Sequence, residues 1–257
     1  MRDGVTEMGT VTFVGAGPGD PELLTLKGHA CIAAADLVLY AGSLVPPATV
    51  ACAKAGARVV DSSPLTLEAC HALMREYAMA GQHVARVHTG DPSLYGTVRE
   101  QAQLLEADGI AYAIIPGVTS ACAAAAAAGL SFTVPEQTQS LIITRMQGRT
   151  PVPEREKLRT LAAHGTSMAI YLSAGNPQGL QDELSAALPP DTPVLCSHRV
   201  GWPDARQAWA TVGTLASVIT AHAMHRQTMF LVLPAHKASA TRSKLYDPEF
   251  MHGWRGK

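Results

Sequence analysis

VGAGPGDPEL, Val14 to Leu23, closes the apolar run that starts at Val11. A strand ending in a glycine-rich turn opens many nucleotide-binding α/β folds, so this stretch decides how the rest is read. A dinucleotide fingerprint needs Gly-x-Gly-x-x-Gly, whose third glycine lets the following helix pack against the strand. Gly15 and Gly17 fit that spacing, but Asp20 occupies the third position. Pro18 removes an N–H and fixes φ, and the Asp20 carboxylate stands where phosphate charge would fall. The turn is strand-borne and rich in glycine, yet a poor cradle for an anion. A nicotinamide dehydrogenase is disfavoured on that ground.

The 257 residues suffice for two domains and a large core. Apolar residues make up 47% and charged residues 16%, a globular rather than a disordered balance. A net charge of -1 argues against a nucleic-acid partner, which calls for a basic surplus. Cys31, Cys52, Cys70, Cys122 and Cys196 are scattered and form no Cys-x-x-Cys pair, so reduced thiols in a cytoplasm are expected. The opening MRDGVTEMGT is polar and reads as a loose tail or as residues upstream of a start site. Neither a signal peptide nor a membrane span is expected.

Outward from the opening turn, strand and helix patterns alternate. PELLTLKGHACIAAA reads as a helix with Pro21 in its first turn, and DLVLYAG and ARVVDSS read as strands. LEACHALMREYAMAG puts Leu67, Cys70, Leu73, Met74 and Tyr77 on one helical face, stopped by Gly81. HVARVH is a strand, YGTVREQAQLLEADG a helix and IAYAIIPG a strand. SACAAAAAAG is a small-residue helix ended by Gly129, and the alternation then repeats through QSLIITR, EREKLRTLAAHG, SMAIYLSAG, PQGLQDELSAAL, TPVLCSHR, RQAWATVG, TLASVITAHAMHR and TMFLVLP. Such alternation implies mainly parallel sheets. The expected organisation is a tail over 1–10, an α/β lobe over 11–116, a connector over 117–138, a second α/β lobe over 139–236 and a tail over 237–257, with a cleft between the lobes.

Gly-Asp-Pro occurs at Gly19–Pro21 and again at Gly90–Pro92, each between a strand and a helix. Ligands of α/β sheets bind at such carboxyl ends of strands. Asp20 reads best as a helix cap. Asp91, flanked by His88, Thr89, Ser93 and Tyr95, reads as a binding residue. PGVTSA is a third loop of this kind, in which Thr119 or Ser120 is a natural cap. His222 and His225 sit three apart on the expected helix without a third ligand, so no metal site is expected. No nucleophile motif is present. In TRMQGRTPVPEREKLR, Arg155 and Arg159 lie among glutamates at helical spacing and read as a solvated face. Arg145 and Arg149 instead border a glycine-containing loop at a strand end, where a forked guanidinium suits carboxylates.

Taken together, VGAGPGDPELLTLKG, ADLVLYAGSLV, HTGDPSLYG, IPGVTS, TRMQGRTPVPEREKL and KLYDPEF resemble the tetrapyrrole methyltransferases of cobalamin synthesis, over Val11 to Trp254. YAGSLV, the arginine loop and LYDPEF resemble the branch that methylates carbon 11 of precorrin-4 or its cobalt form. The resemblance implies a homodimer, two α/β domains and S-adenosylmethionine as methyl donor. It implies cofactor contacts at Pro18, Thr89, Gly90, Asp91, Leu94, Thr119, Ser120, Leu172 and Gly201. Arg145 and Arg149 are then the candidate contacts to a polycarboxylate tetrapyrrole. Related uroporphyrinogen-III methyltransferases carry an aspartate proposed as proton acceptor where this sequence has Ala41, so the catalytic base is unassigned. Competing readings are another corrin-ring carbon, a non-catalytic nucleotide-sensing module, and an RNA-directed cousin that the near-neutral charge disfavours.

Overall fold

The computed structural model describes residues 8–236, 243–251 and 253. Most of the expected tails, over 1–7 and within 237–257, lies outside the described residues. The chain divides into two compact units, Met1–Ala123 with Arg199–Asp204, and Ala124–His198 with Ala205–Lys257.

The first unit contains β1 (Val11–Gly15), α1 (Leu26–Ala34), β2 (Leu37–Tyr40), β3 (Arg58–Asp61), α2 (Leu67–Met79), β4 (Val84–His88), α3 (Val98–Ala107) and β5 (Tyr112–Ile115). Its sheet runs β3-β2-β4-β1-β5, and every pairing is parallel. Parallel strands are covered on both faces, and the period of two sorts their side chains accordingly. Val11 and Phe13 join Met74 of α2 and Leu105 of α3 in one core, whereas Val14 and Ala16 join Ile32 of α1 in another. The edge strand β5 leaves Tyr112, Ala113 and Ile114 exposed.

Helix α1 starts later than the sequence pattern implies. Pro21 opens a separate 3-10 turn, Pro21–Leu23, which Asp20 caps by accepting from the Glu22 N–H at 2.9 Å. Only at Thr25, whose hydroxyl accepts from the Gly28 N–H at 3.0 Å, does α1 begin. The glycine turn therefore does not feed directly into the N-terminus of α1.

Helix α4 (Ser120–Ala127) leads into the second unit: β6 (Leu141–Arg145), α5 (Leu158–Ala162), β7 (Ser167–Tyr171), α6 (Pro177–Ser185), β8 (Pro193–His198), β9 (Arg206–Thr211), α7 (Leu215–Ala221) and β10 (Thr228–Val232). Its sheet runs β6-β7-β10-β8-β9. Here the expectation of mainly parallel pairing needs correction. Only β6 and β7 pair in parallel; β10 runs antiparallel to both β7 and β8, and β8 antiparallel to β9. A parallel crossover needs about a dozen residues or more, and the 199–205 connection is too short, so β8 and β9 form a hairpin. The chain then crosses through α7 and inserts β10 between β8 and β7, opposed to both.

Phe230, Ile170, Val194 and Cys196 of this sheet form one core with Leu180 and Leu184 of α6 and Ile219 of α7. All five cysteines are free thiols, and burial pushes that of Cys196 up to about 12, which keeps it protonated. Helix α7 ends at Ala221, so His222 is its C-cap and His225 lies beyond it; the two are not neighbours on one helical face. Among the described residues no helix is long and apolar enough to cross a membrane.

Phe230 is fully buried in a central strand of the second sheet. Phe230→Ala is expected to cost about 3–5 kcal/mol, the usual range for such a cavity. Urea denaturation followed by circular dichroism should show a markedly lower midpoint; an unchanged midpoint would contradict this packing.

Candidate functional site

In the first unit the loops after β4, β1 and β5 lie side by side, because those strands are neighbours in the sheet. Backbone joins the first two: the Gly90 N–H donates to the Gly17 carbonyl at 2.7 Å, and the Gly17 N–H to the Gly90 carbonyl at 3.2 Å. Such an approach leaves no room for side chains. A Cβ on Gly15 would lie 2.5 Å from the Gly117 nitrogen and 2.8 Å from the Gly90 oxygen. One on Gly117 would run into the Gly90 oxygen. Gly17 and Gly90 also have φ of 73° and 61°, a region glycine enters without a Cβ penalty.

Asp91 completes the junction. One carboxylate oxygen accepts from the Ser93 N–H at 2.8 Å, and the other from the Gly117 N–H at 3.0 Å. The side chain thus closes its own turn and ties the β4 loop to the β5 loop. Each oxygen keeps further acceptor capacity. Thr89, Leu94, Thr119 and Ser120 are half-buried around this junction, in the same loops.

The segment Arg199–Asp204 belongs to the first unit and packs on the glycine turn. A Cβ on Gly201 would stand 2.9 Å from the Asp20 nitrogen and 3.2 Å from the Pro18 ring, while Gly19 faces the Trp202 indole. Arg199 lies over that indole, 4.1 Å from the ring centre, and its Nε donates to Asp204 at 2.7 Å. Eight of the nine candidate cofactor residues therefore lie in the first unit. Leu172 belongs to the second, where it follows β7 with φ 53° and is 69% exposed.

The residues fit an adenosyl sulfonium better than a pyrophosphate. No α-helix N-terminus meets the glycine turn, and the carboxylates of Asp20 and Asp91 stand on two of the three joined loops. Phosphate would be repelled there, whereas a cationic sulfonium or ammonium group is not.

At the end of β2, Ala41 brings no titratable group. The adjacent Gly42 N–H donates to Asp61 at 2.9 Å, and a Cβ on Gly42 would collide with that carboxylate. Hydrogen bonds from the Ser63 hydroxyl and N–H, with that from Gly42, hold Asp61 below the ordinary carboxylate range. That shift makes it a weaker base.

The two candidate arginines separate. Arg145, at the end of β6, donates to the carbonyls of Met146, Thr150 and Pro151, the last at 2.8 Å, so its fork shapes its own loop. Arg149 sits on that loop and is exposed. Arg159 pairs with Glu183, in keeping with a solvated face.

Arg86 was not singled out from the pattern, and His88 was read only as a flank of Asp91. Arg86 and His88 sit on β4 at 7% and 5% exposure. Burial, with the charge of Arg86 adding to it, lowers the His88 pKa to about 3, so the imidazole is neutral. The signal was present in VARVH: a charged residue at an inward-facing position of an otherwise apolar strand.

Residues 10–216 match the family model of the tetrapyrrole (corrin/porphyrin) methylases. The chain is 43% identical over 248 residues to a cobalt-precorrin-4 C(11)-methyltransferase of Priestia megaterium, covering 95% of this chain and 96% of that one. It is 42% identical over 247 residues to a precorrin-4 C(11)-methyltransferase of Pseudomonas aeruginosa, covering 96% and 98%. The X-ray structure of a cobalt precorrin-4 methyltransferase superposes with a TM-score of 0.84 at 42% identity, covering 87% of this chain and 94% of that one. The protein belongs to the tetrapyrrole (corrin/porphyrin) methylase family.

Proposed function

We propose that this chain methylates carbon 11 of precorrin-4, in its cobalt-free or cobalt-bearing form, with S-adenosylmethionine as donor. The observation that carries the reading is the junction of the β1, β4 and β5 loops, within a chain of methylase family. In this reading Pro18, Thr89, Gly90, Asp91, Leu94, Thr119, Ser120 and Gly201 contact the cofactor, and Leu172 is the second unit's candidate. The protein works in the cytoplasm as a homodimer, and no metal belongs to the site.

When bound, S-adenosylmethionine would supply a sulfonium methyl group to a nucleophilic ring carbon, the C–S bond breaking to leave S-adenosylhomocysteine. The protein's task is alignment and exclusion of water, and alignment contributes about 7–11 kcal/mol at best. The glycine junction serves it by leaving room for three loops to meet, and Asp91 by tying the third to the other two. Carbon 11 becomes fully substituted, so the proton to be lost is on the neighbouring pyrrole nitrogen. Ala41 offers no base and Asp61 is a weak one, so solvent or a substrate carboxylate takes that proton.

Precorrin-4 carries acetate and propionate arms, while the chain has net charge -1. Attraction must then be local. Arg145 holds the loop, and Arg149 is the residue that meets a carboxylate.

The direct test is incubation with S-adenosylmethionine and each form of precorrin-4. Mass spectrometry should show one added methyl group and NMR should place it on carbon 11. Methylation elsewhere on the ring selects a different corrin methyltransferase; cofactor binding without turnover selects a sensing module.

Asp91→Ala should raise the dissociation constant of S-adenosylhomocysteine by about tenfold or more, because two charge-assisted hydrogen bonds vanish, one within the β4 loop and one tying it to the β5 loop. Calorimetry on the folded variant checks this, and unchanged affinity would reduce Asp91 to a turn cap. Arg149→Ala should raise the tetrapyrrole KM by about tenfold or more and leave cofactor affinity unchanged. Steady-state kinetics with each ligand varied separately decides it; an unchanged tetrapyrrole KM would return Arg149 to the solvated surface.

A further inference from the structure

Arg86 is an expensive residue where it stands. Its guanidinium is buried on β4, and among the described residues no carboxylate faces it. The titratable side chains beside it are Cys70 of α2 and the neutral His88. Burying an unpaired cation costs far more than filling the same volume with an apolar side chain. A purely space-filling role does not account for it.

Its hydrogen bonds show what the cation holds. Nη1 donates to the Ser62 hydroxyl at 2.9 Å and to the Leu39 carbonyl at 3.2 Å, which ties it to the ends of β3 and β2. Nε donates to Oε1 of Gln101, on α3, at 2.9 Å. A guanidinium has donors only, so the amide of Gln101 must present its oxygen to it. The amide nitrogen is thereby turned to the Thr97 carbonyl, to which it donates at 3.1 Å. Arg86 thus sets the orientation of an amide that grips the far end of the β4–α3 loop.

That loop needs gripping. Thr97 has φ 51° and ψ 31°, and Tyr95 has φ 58°; both are left-handed, and Thr97 is β-branched. Such backbone persists only where its surroundings fix it. The near end of the loop is fixed by Asp91 through Ser93 and Gly117. The far end is fixed by Gln101.

We propose that Arg86 is a positioning residue for methyl transfer: through Gln101 it holds the Asp91–Thr97 loop in the conformation that binds the cofactor. This rests on the cofactor reading of that loop given above.

Gln101→Glu separates positioning from mere stability. It keeps the acceptor for Arg86 and pairs the cation with a carboxylate, but removes the donor to Thr97. With the full chain, we expect an unchanged or raised thermal midpoint, a tenfold or greater rise in the dissociation constant of S-adenosylhomocysteine, and faster hydrogen exchange at the amides of 93–98. Arg86→Lys, which loses the fork, should weaken binding in the same way where it folds. Leu94→Ala serves as the control for the cofactor reading, since Leu94 lies in the loop but outside the relay. If Leu94→Ala weakens binding while Gln101→Glu leaves affinity and exchange at parent values, the positioning role is refuted and the cofactor reading stands. If neither variant changes the affinity, the cofactor reading falls and this inference with it. A lowered midpoint with parent affinity in Gln101→Glu would make the relay purely structural and also refute it.

Discussion

The close approach of Gly15, Gly90 and Gly117 is the constraint on which the rest of the candidate site depends. Strands β4, β1 and β5 are adjacent and parallel, so their following loops emerge at one edge of the sheet. Ordinary side chains there would force those loops apart. Glycine at positions 15 and 117 lets the backbones touch, the left-handed φ of 61° at Gly90 is open to glycine, and the reciprocal hydrogen bonds of Gly17 and Gly90 then lock two of the loops. Asp91 adds the third by reaching the Gly117 N–H. Packing of Gly201 and Trp202 on the same turn follows from the same absence of side chains.

Charge is arranged with similar economy. The chain carries almost no net charge, so in the proposed function attraction for a polycarboxylate would rest on single arginines rather than on a field. Arg145 spends its fork on backbone carbonyls and shapes a loop; Arg149 is exposed on that loop. Arg86 is the opposite case, a cation buried among neutral dipoles. Its value lies in direction, since a donor-only group dictates how Gln101 must face. Beside it, His88 stays neutral, which spares the strand a second buried charge.

Much of this was legible in the sequence because the determinants are local. Glycine and Gly-Asp-Pro at strand ends marked the three loops, and Thr119 with Ser120 marked the start of α4. The departure of Asp20 from a dinucleotide fingerprint argues against a pyrophosphate cradle, and the late start of α1 argues the same way. What was not legible depends on distant partners. The direction of β10 follows from a hairpin and a crossover, neither of which alternation of elements encodes. Asp91 reads as a ligand residue by itself, while its bond to Gly117 spans 26 residues of sequence. Arg86 looks like a polar interruption of a strand until Ser62, Leu39 and Gln101 surround it. His222 and His225 looked paired only because α7 was expected to run further than it does.

The central claim is that a junction of three loops, brought together by glycine backbone and tied by the Asp91 carboxylate, builds the cofactor site. Gly117→Ala tests it most directly, because a single methyl group would run into the Gly90 carbonyl and wedge the loops apart. Calorimetric titration of the variant with S-adenosylhomocysteine, on protein whose circular dichroism matches the parent, should give binding that is lost or weakened by about a hundredfold. Binding at the parent affinity would contradict the account.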